Sequence, residues 1–226
     1  FHSERPNYRV CGGGYLMTEF GEFTLEEYRD ALASGKPTPG GGTAAAVALS
    51  QGAALAVMVC NLTIGKERWT DGWNHSEYCL RIATPLMSLG HELAAADSEA
   101  FDSVMAAFRL PKESDEDVEH RKDAILASTR LASEVPLKTA KEALVLLKCL
   151  PKLAEVGNAN AVTDVAVASL LVSAACKGAL FNVQINAAGL PDDEGVSLLR
   201  EVDEIREQAK IVSREVMTAV HDRLNS

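Results

Sequence analysis

An aspartate on an apolar helical stripe is the first residue of this 226-residue chain whose surroundings suggest chemistry. Leu86, Leu89, Leu93, Phe101, Val104 and Phe108 follow one another largely in steps of three and four, and the position that continues the stripe between Leu93 and Phe101 is Asp97. A carboxylate on a face made for burial is costly without partners, and desolvation raises its proton affinity. A general acid or base working near neutral pH is made in this way. Spacing alone fits equally a structural aspartate bonded to a neighbouring helix, or one at a groove edge facing water, and such structural uses are the commoner case.

Residues 37–43 read P-T-P-G-G-G-T. Gly40, Gly41 and Gly42 let the backbone pass close to a ligand, and the helix opening near Thr43 aims free N–H groups and the positive end of its dipole at whatever sits there. The segment lacks the Gly-Lys-Ser/Thr ending of a P-loop, and no strand precedes it as a dinucleotide fingerprint requires. A plain inter-helix loop with Thr43 as N-cap is the simpler account, although three glycines exceed what a cap needs. Residues 157–164, G-N-A-N-A-V-T-D, offer Asn160 or Thr163 as caps and Asp164 as a favourable charge at a helix N-terminus. Asn182 and Asn186 lie one turn apart on an otherwise apolar helix, where their amides need partners from a neighbouring helix or from a heterocycle. Lys66, just past a buried helix, either satisfies terminal carbonyls or offers a cation to an anionic substrate, with Trp69 and Trp73 nearby as stacking surfaces or loop anchors. Ser–His–Asp and Cys–His nucleophile sets are not discernible.

Positioning such residues falls to helices. Strand signals are nearly absent, and the apolar pattern repeats at helical spacing over most of the chain. Thr24 with Glu27 forms a capping box for a short helix to about residue 34. Further helices are expected over residues 43–64, 76–108 with a kink at Pro85, 114–150 with an interruption at Pro136, 160–188, and from 192 onward. The expected fold class is all-α, an up-and-down bundle with two buried central helices. Residues 1–16 read as a non-native or disordered extension ahead of Met17, and residues 17–226 as one helical domain.

Composition narrows the function. The chain is 47% hydrophobic and 24% charged, which suits one globular domain with a substantial core. Its net charge of −10 repels phosphate backbones and anionic lipid, so neither nucleic acid nor membrane is an expected partner. Residues 43–64 are long and apolar enough to span a bilayer, yet their small residues and central Gln51-Gly52 favour a helix buried in protein. Five cysteines form an odd, scattered set without a C-x-x-C pair, and the five histidines show no ligand spacing. No metal site, no disulfide framework and a reducing cytoplasm are the expectations.

Six stretches together resemble one family, the cyclodeaminase domain of formiminotransferase-cyclodeaminase and its stand-alone relatives, which include methenyltetrahydrofolate cyclohydrolases. They are P-T-P-G-G-G-T-A-A at 37–45, C-N-L-T-I-G-K at 60–66, D-S-E-A-F at 97–101, A-F-R-L-P-K at 107–112, G-N-A-N-A-V-T-D at 157–164 and N-V-Q-I-N at 182–186. They occur in the family's order and span residue 23 to the C-terminus. The resemblance implies an all-helical homodimer acting on a folate without a metal, and no cofactor beyond the tetrahydrofolate substrate. It makes Asp97 the catalytic carboxylate, with Gly40, Gly41, Gly42, Thr43, Lys66, Asn158, Asp164 and Asn182 lining the folate site. The expected activity is conversion of 5-formiminotetrahydrofolate to the 5,10-methenyl compound plus ammonia. With no transferase segment attached, a methenyltetrahydrofolate cyclohydrolase is the rival reading. A helical interaction module without catalysis is the second, and Asp97 with an intact glycine loop argues against it. Thr43 stands where serine is common and keeps the hydroxyl.

Overall fold

The computed structural model describes residues 8–11, 15–18 and 20–225. Seven α-helices carry most of them: α1 (Leu25–Leu32), α2 (Gly41–Thr63), α3 (Trp73–Phe108), α4 (Asp115–Leu147), α5 (Leu150–Val156), α6 (Val162–Ala187) and α7 (Asp192–Leu224). Two short strands, β1 (Tyr8–Cys11) and β2 (Tyr15–Thr18), pair antiparallel ahead of them, with Arg9 opposite Met17. The all-α expectation therefore holds for the body of the chain, and the hairpin is an addition to it.

The helices stop and start for local reasons. Thr24 Oγ1 accepts from the Glu27 amide at 3.2 Å while Glu27 returns a bond to the Thr24 amide at 2.7 Å, the expected capping box of α1. Ser114 and Asp117 repeat that arrangement at the start of α4. Beyond α2, Gly65 takes φ +75°, a left-handed turn that favours glycine and ends the helix. Lys66 then leads not into an open loop, as expected, but into a 3-10 turn at Glu67–Gly72, and α3 begins at Trp73.

Pro136 does not interrupt α4, contrary to expectation: the helix is continuous from Asp115 to Leu147. A proline within a helix leaves the carbonyl four residues back without its N–H donor. That carbonyl is Ala132 O, and Asn186 Nδ2 of α6 donates to it at 2.6 Å. The half-buried amide thus repairs the gap that the proline makes, so the neighbouring-helix reading of Asn186 is the correct one. Asn182 bonds within its own helix, to Gly178 O at 3.0 Å.

α2 and α6 are the central helices, and they run antiparallel. Gly52 lies against Ala168 and Val172, a Cβ on Gly178 would meet Ala45 at 3.4 Å, and the Asn158 amide reaches Thr63 Oγ1 at 3.0 Å. α3 crosses α2 where a side chain on Gly90 would collide with Ser50 and Ala46. α2, α3, α4 and α6 form a four-helix bundle, while α7 lies along α6 and α4 with α5 beneath it. Leu49, Ala53 and Val59 of α2 and Val172, Cys176 and Leu180 of α6 are fully buried in one core. Both helices are long and apolar enough to cross a membrane by length and composition alone, and here half or more of each such segment is buried in protein.

Candidate active site

The first turn of α2 carries almost no side-chain bulk, and α3 delivers Asp97 against it. A Cβ on Gly42 would lie 2.2 Å from Asp97 Oδ1 and 2.6 Å from Oδ2, so the missing side chain is what admits the carboxylate. Thr43, fully buried, donates from Oγ1 to Asp97 Oδ2 at 3.2 Å and accepts from the Gly40 amide at 3.4 Å. Since that hydroxyl has one proton, Ser98 Oγ, also 3.2 Å away, is the donor of their shared bond.

Two influences oppose each other at Asp97. Burial raises its pKa above the usual carboxylate range, while the Thr43 hydroxyl and then the Thr43 amide lower it; burial prevails. The free N–H groups of the first turn and the helix dipole belong to the lowering side. The result is a carboxylate that holds its proton more tightly than usual while remaining hydrogen-bonded in its ionised form, which suits proton transfer in both directions. The expected buried stripe holds at Leu86 and Leu93 and then turns outward, since Phe101 and Phe108 are exposed where α3 runs past the start of α2.

Sequence reasoning missed Tyr28. α1 buries none of its residues completely, so no periodicity marks the position. Yet the Tyr28 ring packs edge-on to Phe20, its hydroxyl is shut off from water, and that hydroxyl has no hydrogen-bond partner. Burial first and the Asp97 charge second raise its pKa, so the phenol and the carboxylate lie within electrostatic reach of each other.

The remaining expected site residues divide between the two ends of the bundle. Gly40, Gly41, Gly42, Thr43 and Asp97 share one end, and Asn182, one turn beyond Gly178, is level with the start of α2. Lys66, Asn158 and Asp164 lie at the other, separated by the 23-residue length of α2, roughly 34 Å. Asn158 has structural duties there: Oδ1 accepts from the Asn160 amide at 3.0 Å and Nδ2 donates to Leu62 O at 2.9 Å. Asn158, not Asn160 or Thr163, is therefore the cap of the turn leading into α6.

The cysteines are less scattered than their numbering suggests. Cys79 Sγ lies 3.4 Å from His75 Nε2 and 3.6 Å from Cys149 O, and hydrogen bonding to Cys149 and Cys60 raises its pKa. All three thiols are buried, and no group of three or more potential ligands among the described residues is placed to hold a metal.

A hydrogen-bonded, desolvated carboxylate set against the glycine-opened start of a core helix is the candidate site of an all-α bundle protein. Residues 24–205 match the family model described as formiminotransferase-cyclodeaminase, and the chain belongs to that family. It is 36% identical over 206 residues to a methenyltetrahydrofolate cyclohydrolase of Methylorubrum extorquens, covering 91% of this chain and 99% of the relative. It is 32% identical to the formimidoyltransferase-cyclodeaminase of Rattus norvegicus, covering 79% of this chain and 34% of that longer protein. A crystal structure of formiminotetrahydrofolate cyclodeaminase from Thermotoga maritima superposes with a TM-score of 0.80 at 28% identity, over 90% of this chain and 98% of that one.

Proposed function

We propose that this protein is a folate one-carbon enzyme that hydrolyses 5,10-methenyltetrahydrofolate to 10-formyltetrahydrofolate, with Asp97 moving the protons. The observation that carries the reading is Asp97 itself, desolvated yet bonded to Thr43 at the N-terminus of α2. The M. extorquens relative, matched along nearly its whole length, favours hydrolysis over the deaminase reaction. As carboxylate, Asp97 takes a proton from water while the oxygen bonds to the cationic methenyl carbon, and the electron pair of the C=N bond moves to nitrogen. The carboxylic acid so formed then protonates N5 as the C–N5 bond breaks. The hydroxyl proton departs as the formyl C=O forms, so one proton is released per turnover. The negative carboxylate also opposes the positive charge of the substrate before attack.

The T. maritima likeness supports a second reading, the cyclodeaminase. There N10 attacks the formimino carbon, the departing nitrogen takes one proton from N10 and one from protonated Asp97, and ammonia leaves as the methenyl cation forms, with Asp97 left as carboxylate. Near-ultraviolet absorbance of the methenyl compound separates the two. Decay faster than the buffer blank, with no activity on the formimino compound, establishes the hydrolase. Rising absorbance from 5-formiminotetrahydrofolate, with ammonia released, establishes the deaminase. Neither change with folded protein would sink the folate assignment.

The same proposal includes a homodimer, working in the cytoplasm. Lys66 and Asp164 reach a substrate at Asp97 only if a second copy supplies them, which an antiparallel two-fold pairing across α2 and α6 does. An exposed apolar stripe suits that contact: Met58 and Leu62 on α2, Val167, Leu170, Phe181 and Ile185 on α6, the last two 68% and 75% exposed. Mixing D97N chains with K66A chains, each inactive alone, then restores about a quarter of wild-type activity, because half the dimers are mixed and each holds one intact site. A mixture as inactive as its components would refute the shared site.

A further inference from the structure

Past Asp97, α3 keeps its apolar face but loses the helix on which that face was packed. α2 opens only at Gly41, and the bond between Thr43 Oγ1 and Ser98 Oγ, at 3.2 Å, joins the two helices there. On this face Leu86 and Leu93 are 2% and 4% exposed, whereas Phe101 is 39% and Phe108 50% exposed. Ala100 and Ala107 stay buried beside them, so α3 itself remains packed. One helical turn separates Asp97 from Phe101, which puts their Cβ atoms roughly 5–6 Å apart on the same side. Gly41, in the first turn of α2, borders open space, with nothing within 4 Å of a Cβ built there.

Phe101 also lacks the partner that comparable rings have. Arg68 lies 5.0 Å from the centre of the Trp69 ring, Arg121 5.7 Å from Phe108 and Arg81 5.9 Å from Tyr78. Among the described side chains of Phe, Tyr and Trp, Phe101 and Phe181 have no ring, cation or hydrogen-bond partner. Phe181 belongs to the exposed stripe assigned above to the contact between copies, and Phe101 lies instead on the face of Asp97. An open ring face attracts a cation that comes within about 6 Å of its centre. The methenyl compound is such a cation: flat, fused and with its positive charge spread over N5, carbon and N10.

We propose that the fused ring of the folate stacks on Phe101, which sets the N5–C–N10 unit against Asp97 and favours the cationic methenyl form over neutral folates. This rests on the folate reading above and holds for either reaction, since the cation is substrate of one and product of the other. Bound there, the ring takes the place of the turn of α2 that α3 lacks, and it covers the apolar face that the fold leaves open. Asp97 supplies negative charge at the edge of the cation, and Phe101 supplies the negative face of its π system. Attack by water removes the positive charge, so the Phe101 contact is stronger before attack than in the transition state. Phe101 therefore contributes to binding and selectivity, not to the rate of the chemical step.

Titration calorimetry in a D97N background, in slightly acidic buffer where the methenyl compound persists, separates binding from turnover. Two probes are compared, the methenyl cation and the neutral, unreactive 5-formyltetrahydrofolate. F101L keeps an apolar side chain and loses the ring: affinity for the cation falls about tenfold, and affinity for the neutral probe falls threefold or less. F101Y keeps the ring and binds both probes within threefold of the D97N parent. Thermal melts within a few degrees of the parent certify the fold of each variant. In the otherwise wild-type hydrolase, F101L raises KM for the methenyl compound about tenfold while kcat does not fall. Unchanged affinity in F101L, equal losses for the two probes, or a tyrosine variant as weak as leucine overturns the proposal and leaves the folate reading standing. A wild type that turns over no folate sinks the folate reading, and this proposal with it.

Discussion

Gly42 faces Asp97 so closely that a methyl group on the glycine would lie 2.2 Å from Oδ1, inside any tolerable contact. Gly41, its neighbour in the same turn, faces open space, with nothing within 4 Å of a Cβ placed there. Two substitutions that look alike in the sequence should therefore behave differently. G42A forces the carboxylate or the start of α2 to move, lowering stability by about 1–3 kcal/mol, as overpacking does, and abolishing turnover. G41A adds helix propensity without a clash and raises stability by about 0.5 kcal/mol. Urea unfolding of both variants checks this, and equal losses would refute the claim that Gly42 makes room for Asp97.

Among the described residues Thr43 is the one side chain that lowers the Asp97 pKa. Its hydroxyl is the larger of the two influences that lower the carboxyl pKa. T43V removes it at nearly constant volume, so the pKa rises further and the acid limb of the pH–rate profile moves to higher pH. T43S keeps the hydroxyl and leaves the limb in place. A valine variant with an unshifted limb would mean that another group sets the profile.

Asp97 also links folding to pH. Its pKa is raised in the folded state, so the folded protein keeps a proton that the unfolded chain has already released. Stability from this group is therefore fully present below the ordinary carboxylate range and falls as pH rises through the raised folded value. D97N lacks the titration, so its stability relative to wild type improves with rising pH over that window and then levels off. Its turnover falls about 10²–10⁴-fold, the usual weight of a positioned proton carrier. Thermal melts from pH 4 to 8 beside initial rates check both, and a D97N enzyme with wild-type turnover would refute the assignment.

What the sequence carried and what it lacked follow from the range of each interaction. The Thr24–Glu27 cap, the turn at Gly65 and the two apolar helices are local, written within a few neighbouring residues. Asp97 was legible because it broke a periodic stripe, and the glycine loop because three glycines exceed a cap's needs. Pro136 misled because its remedy, Asn186, stands fifty residues away on another helix. Lys66, Asn158 and Asp164 joined Asp97 as one set because motif order says nothing about which end of a bundle a segment occupies. The cysteine cluster escaped for the same reason, since Cys60, Cys79 and Cys149 meet only through the packing of α2, α3 and the turn after α4.

Tyr28 shows what no pattern could supply. Its helix α1 has an exposed Leu25 and no fully buried residue, yet the Tyr28 hydroxyl is closed off from water, within electrostatic reach of Asp97 and with nothing to bond. If the hydroxyl were only structural, Y28F would remove an unsatisfied group and leave both stability and catalysis equal or better. If it waits for the substrate, the phenyl variant keeps its fold but loses a hydrogen bond to the bound folate or to the proton in transit. The expected outcome is a melting temperature at or slightly above wild type with kcat/KM lowered about tenfold, equivalent to one hydrogen bond of about 1.4 kcal/mol. Melts and steady-state rates on the same preparation decide it: wild-type kcat/KM would reduce Tyr28 to a prop for Phe20, whereas a stable but impaired enzyme would add it to the site.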